Sequence, residues 1–204
     1  MFHLTHMYCT AKSGSNNAIT ILGSALPDIG GIPGSSQNWR NFIGYQKWFK
    51  NIENDALKKG FFAHAAADEI SHGKLNMNPV WGTGWAFKWS EKLFPYFHNH
   101  HWHSLGELSM EIYVAKTHPD VLNLFNKTVK SVNLKKISED IAQAMNADKK
   151  AIYRDVRRFV TFMILLNNLV TKPFKILANP KQGRAQALEA CLAAVKRTWQ
   201  SRQM

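Results

Sequence analysis

The sequence predicts an all-α fold, a multi-helix bundle, and three observations point that way. Apolar residues recur at helical spacing in most segments. Runs that alternate with period two are few and short. Cap residues and Gly/Pro breakers fall between the periodic stretches, where helices should start and stop.

Residues 1–12 and 16–26 have apolar spacings that suit helices, divided by the breaker SGSNN. LPDIGGIPGSS, with Pro and Gly clustered, reads as a loop. SQNWRNFIGYQKWFKNIEN should contain a short helix and KKGFFAHAAADEISH a stronger one. GKLNMNPVWGTGWAFKWSEKLFPY reads as a long aromatic connection. HHWHSLGELSMEIYVAK reads as a helix ended by THPD. Three more helices are expected over SEDIAQAMN, DKKAIYRDVRRFVTFMILLNNLV and GRAQALEACLAAVKRTWQ, the first two opening on Ser or Asp as N-cap candidates.

A chain of 204 residues suits one domain over 1–204 with a proper core. Its net charge of +12 is unevenly spread, with 10 Lys/Arg against 9 Asp/Glu up to residue 126 and 16 against 5 beyond it. All nine histidines lie at or before His118. The chain thus divides into a part rich in His and carboxylate (1–115) and a basic helical part (116–204). Basic faces attract phosphates, nucleic acid or anionic lipid, so nucleic acid is a candidate partner for 127–204; a solvated surface on supporting helices is the simpler alternative. Cys9 and Cys191 make no disulfide framework and no CxxC pair. Met1 leads directly into FHLTHMYCTA, without a basic stretch and apolar core, and FVTFMILL is too short to span a membrane. The expectation is a soluble, cytoplasmic protein without a transmembrane segment.

The chemistry concentrates in HAAADEISH. His64, Asp68 and His72 stand four residues apart, so they stack along one face of a helix. The two histidines are then about 12 Å apart along the axis, too far to share one ion, and Asp68 between them could bridge two. Hydrogen bonding within a bundle is the plainer use of such residues. A second row, His100, His103, Glu107 and Glu111, runs along the helix after HNHHWH. Imidazoles and carboxylates on facing helices are a common way to build a metal site in a helical core. HLTH adds His3 and His6, and GSALPDIGG adds Asp28 in a proline-directed turn, a position otherwise typical of a cap or turn residue. Trp81, Trp85, Phe87 and Trp89 lie between the two rows in sequence, and either pack the bundle or line a pocket mouth.

In this order the elements resemble the zinc-dependent phospholipase C family, related to fungal single-strand nucleases. The likeness runs through an early His, the loop LGSALPDI, the H-x3-D helix HAAAD, a further His at His72, and H-x3-E in HSLGE. It covers roughly residues 1–115; no family motif is recognisable in 116–204. The resemblance implies a phospholipase C/nuclease-like bundle with a metal site in its core. It implies His6 as an early ligand, with His3 a competing choice, and Asp28 as a ligand or the carboxylate that orients an attacking water. His64 and Asp68 would hold one ion, Asp68 bridging to a second, with His72, His103 and Glu107 on another. One to three zinc ions are expected, and Fe, Mn or Ni suit the same donors. Family members also carry a His between the PD loop and the H-x3-D helix, and no His occurs here between Asp28 and His64. The expected function is metal-dependent hydrolysis of phosphoester bonds by activated water, in a phosphate-containing small molecule, a nucleotide or a lipid head group. A metal-containing structural or nucleic-acid-binding protein is the alternative.

Overall fold

In a computed structural model the chain is described at residues 3–32, 34–36, 39, 48–73, 84–86, 103–170 and 181–201, without the side chains of 103–105, 168–170 and 181–182. The described residues are helical, and no strand occurs among them. In order they form α1 (His3–Lys12), α2 (Ala18–Gly23), a 3-10 segment (Leu26–Gly31), α3 (Asp55–His72) and α4 (His103–Thr117). There follow α5 (Asp120–Ser131), α6 (Leu134–Met145), α7 (Lys149–Val170) and α8 (Lys181–Gln200). Most of the SQNWRNFIGYQKWFKNIEN and aromatic-connection segments lie outside the described residues, Trp81, Phe87, Trp89 and His100 among them.

Short polar side chains start these helices. Asn17 accepts from the Ile19 and Thr20 amides, Asn54 from Leu57, Asn133 from Lys136 and Asp148 from Ala151, each meeting donors that a first turn leaves unpaired. Asn146 ends α6 in the left-handed region, at φ 51°. Two boundaries differ from the sequence expectation. Ser138 is not a cap: α6 starts a turn earlier at Asn133, and the Ser138 hydroxyl donates back to the Leu134 carbonyl at 2.7 Å. LPDIGG, expected as a loop, closes a 3-10 segment because Pro27 falls in its first turn, where the missing amide is not needed. Helix α5 was not anticipated at all. THPD reads as a stop for α4, but Pro119 and Asp120 also open the next helix, and Val121, Phe125 and Thr128 supply its buried stripe.

One hydrophobic cluster runs from Leu4 to Trp199 and draws on every described helix. Edge-to-face rings of Trp48, Phe49 and Phe61 fill one part of it. Helix α3 is the central element, packed most extensively on α8 and next on α2.

Three glycines set the helix positions around it. A Cβ on Gly60 would stand 2.4 Å from the Thr20 carbonyl oxygen and 2.9 Å from the Gly23 Cα, so α2 and α3 touch backbone to backbone. The Thr20 hydroxyl, donating to the Ala56 carbonyl at 2.9 Å, ties the same crossing. At the far end of α3, a Cβ on Gly84 would meet the Ser71 carbonyl oxygen at 2.0 Å, and one on Gly106 would meet the Ala86 carbonyl oxygen at 2.4 Å. Residues 84–86 are thereby wedged between the end of α3 and the start of α4. Both contacts fall one residue from a site residue, His72 on one side and Glu107 on the other.

Candidate metal centre

The α2–α3 crossing brings the Ser24 carbonyl, just past α2, to the side chain one turn beyond Gly60. His64 Nδ1 lies 2.9 Å from that oxygen, which can only accept, so Nδ1 carries the proton. The other nitrogen, Nε2, is 3.0 Å from Asp68 Oδ2 on the next turn of α3. A carbonyl that accepts from one imidazole nitrogen, as Ser24 does here, is a usual partner of a histidine whose other nitrogen binds a metal.

His6 comes in from α1. Its ring stacks on His64 at 4.0 Å between centroids, and its Nε2 lies 3.3 Å from Asp68 Oδ1. Asp28, on the 3-10 segment, completes the group: His6, Asp28 and His64 each offer a donor atom, and the three atoms lie within 4.8 Å of one another. His6 and His64 are buried, whereas Asp28 is half-buried, so the group meets solvent on the side of the carboxylate.

A second pair stands beyond Asp68. His72 Nδ1 is 3.7 Å from Asp68 Oδ1 and 3.2 Å from the Ser71 hydroxyl, and its Nε2 contacts Glu107 Oε1 at 2.6 Å. Among the described side chains Asp68 therefore faces three imidazoles, two on its own helix and one from α1. His103 opens α4 one turn before Glu107, and its side chain lies outside the described residues.

The electrostatics follow from burying these groups together. Burial opposes a charged His64, but the carboxylates of Asp68 and Asp28 and the Ser24 carbonyl outweigh it and raise its pKa to about 9. Asp68 is held well below the ordinary carboxylate value, the cost of burial being exceeded by the charges of His64 and His72 and by hydrogen bonds from His6 and His64. His6 moves the other way: burial and the neighbouring His64 charge lower its pKa, though Asp68 pulls it up. His72 is raised, Asp68 and Glu107 outweighing burial. Without a metal the cluster is thus a cationic His64 beside an anionic Asp68, with the neutral imidazole of His6 stacked on them.

His3, three residues before His6, turns to a different partner. Its Nδ1 is 3.1 Å from Glu111 Oε2 and its Nε2 is 2.8 Å from Asn167 Oδ1. Glu111 also accepts from the Leu4 amide at 2.9 Å, the Thr5 amide at 3.0 Å and the Thr5 hydroxyl at 2.9 Å. A fully buried carboxylate thus caps α1 from another helix and anchors the turn that carries His6. Sequence reasoning placed Glu111 in a row with Glu107; here the two acids, one turn apart, serve separate clusters.

Ser24, Ser71 and Asn167 had no part in the sequence reading. The Ser24 contact uses a backbone carbonyl and leaves no signal in residue type. Asn167 did leave one, since it continues the buried row Val156, Val160 and Met163 as a lone amide among apolar side chains. Trp85 is half-buried and packs against the core. Burial pushes the Cys191 thiol up to about 12 and the Cys9 thiol well above its ordinary value, so neither is a thiolate nucleophile at neutral pH. Compared with known proteins, the chain matches no family model, no curated protein and no solved structure.

Proposed function

We propose that this chain is a metal-dependent hydrolase of phosphoester bonds, with a phosphodiester, phospholipid or nucleotide as substrate. The observation that carries the reading is the convergence of His6, Asp28 and His64 from three separate elements, with donor atoms within 4.8 Å of one another. Two imidazoles and a carboxylate suit zinc, and His64 has the second-nitrogen partner that such ligands use. His6, Asp28 and His64 would hold one ion. Asp68 stands between this group and His72 with Glu107, to which the family resemblance adds His103, and these would hold another. The resemblance to zinc-dependent phospholipases C supports the same assignment.

A divalent cation in such a site supplies Lewis acidity, enough to bring a coordinated water's pKa from 15.7 to about 7. The chain's own residues do the rest. Asp28, at the solvent edge, orients the attacking water and accepts its proton, while Asp68 balances the imidazoles and keeps their ring nitrogens aimed inward. Ser24 fixes the ring of His64 from behind.

The test is metal analysis of the purified chain together with hydrolysis of bis-p-nitrophenyl phosphate. Bound zinc and turnover are expected, with His64→Ala losing at least about 100-fold in kcat while circular dichroism stays helical. His118→Ala, a histidine stacked on Tyr8 outside the cluster, should leave turnover unchanged. Tightly held metal with no turnover on any phosphoester would make the site structural.

A further inference from the structure

We infer that the outward half of α7 is a docking surface for a bilayer rich in anionic phospholipid. The helix is sharply two-sided. Ile152, Val156, Phe159 and Met163 are fully buried against the bundle. The opposite half lines an open groove of about 530 Å³ and divides along its length. Lys150, Arg154, Arg157 and Arg158 occupy its first turns, and Phe162 and Leu165 the following ones. From Lys150 to Leu165 this face runs about 22 Å.

Exposure of the apolar end is what needs explaining. Leu165 is 58% exposed, Ile164 41% and Phe162 38%, and these are the large hydrophobic side chains left at the surface among the described residues. They sit within one turn of a single helix, at 162, 164 and 165 on either side of the buried Met163, and are not scattered singly. Among the described residues the cations next to them meet little opposing charge. Asp155 is the only acid in α7, and it is buried, accepting from the Ser36 amide at 2.8 Å. Arg154 reaches it at 3.4 Å, Arg158 leans on the Gly34 carbonyl at 3.4 Å, and Arg157 lies over the Tyr153 ring at 5.9 Å.

A row of guanidinium groups beside protruding aliphatic and aromatic side chains matches the layering of a membrane interface, phosphate outside and hydrocarbon beneath. A nucleic acid would satisfy the arginines but not Ile164 and Leu165, which neither stack on bases nor bond to them. The helix would lie in the interface, since no helix among the described residues is long and apolar enough to cross a membrane. This surface is separate from the metal centre and needs neither metal nor turnover.

Sedimentation of the full chain with vesicles, in EDTA, tests it. Binding is expected to equimolar phosphatidylcholine and phosphatidylglycerol, falling as salt rises, and not to phosphatidylcholine alone. Each cation removed should weaken binding about fivefold, so Arg154→Gln, Arg157→Gln and Arg158→Gln together should weaken it about 100-fold. Leu165→Ser should cost about tenfold with the salt dependence unchanged. These side chains are exposed or partly so, and thermal melts of the variants check that the fold is retained. Absent binding, equal binding to neutral vesicles, or indifference to Leu165→Ser would overturn the proposal. Tight salt-dependent binding of single-stranded oligonucleotides with no vesicle binding would overturn it in favour of nucleic acid.

Discussion

His64 is gripped from both sides, its Nδ1 2.9 Å from the Ser24 carbonyl and its Nε2 3.0 Å from the Asp68 carboxylate. Asp68 is the largest influence holding the proton on this buried ring. In metal-stripped protein, Asp68→Asn should therefore bring the His64 pKa from about 9 down toward or below the ordinary 6.5, because burial then acts with less opposition. Imidazole resonances followed by NMR titration read this directly. A His64 that still titrates near 9 would remove Asp68 as the cause.

Metal uptake should release protons. A metal takes the imidazole without its extra proton, and His64 in the metal-free chain is protonated at pH 7 because its pKa is about 9. Zinc binding at pH 7 is expected to expel about one proton from this residue, and apparent affinity should rise about tenfold per pH unit until His64 has titrated. Calorimetry in buffers of different ionisation enthalpy counts the proton. Binding without proton release would place the ion elsewhere.

Glu111 should couple stability to acid. Burial alone would raise its pKa, but His3 and the amides of Leu4 and Thr5 outweigh that and hold it below the ordinary 4.5. A carboxylate depressed on folding stabilises fully above its unfolded pKa, and that contribution fades as pH falls through the lower folded value. Glu111→Gln should cost about 3 kcal/mol at pH 7, and urea melts should show the gap from wild type closing as pH drops below about 4.5. A gap independent of pH would mean that shape, not charge, is what α1 requires.

The wedge between α3 and α4 should tolerate no side chain. A methyl group at Gly84 would meet the Ser71 carbonyl oxygen at 2.0 Å and the His72 amide nitrogen at 2.5 Å, both backbone atoms. Gly84→Ala is expected to cost about 3 kcal/mol and to weaken metal binding, since it displaces the turn that carries His72. Gly31→Ala, with nothing within 4 Å, should stay within about 0.5 kcal/mol of wild type. Chemical denaturation compares them, and equal stabilities would show that the wedge yields.

Helical periodicity and spacing made much of this legible from the chain alone. The all-α class and the helices carrying HAAADEISH, HSLGELSMEIY and the long arginine-bearing segment follow from apolar residues at 3.6-residue spacing, a relation each segment has with itself. The placement of His64, Asp68 and His72 on one row is of the same kind, since four residues in a helix always return to the same face.

What neighbours what was decided only in three dimensions. His3 and His6 share α1, and their spacing is silent on which of them meets Asp68. That depends on how α1 is rotated against α3 and α4, and the Glu111 carboxylate holding Leu4 and Thr5 settles it. Glu107 and Glu111 likewise look alike in sequence, yet one reaches His72 and the other His3. Ser24 enters through a carbonyl that every residue possesses, brought to His64 because Gly23 and Gly60 let two backbones touch. Local spacing chooses the face a side chain occupies, and close contacts between distant backbones choose its partner.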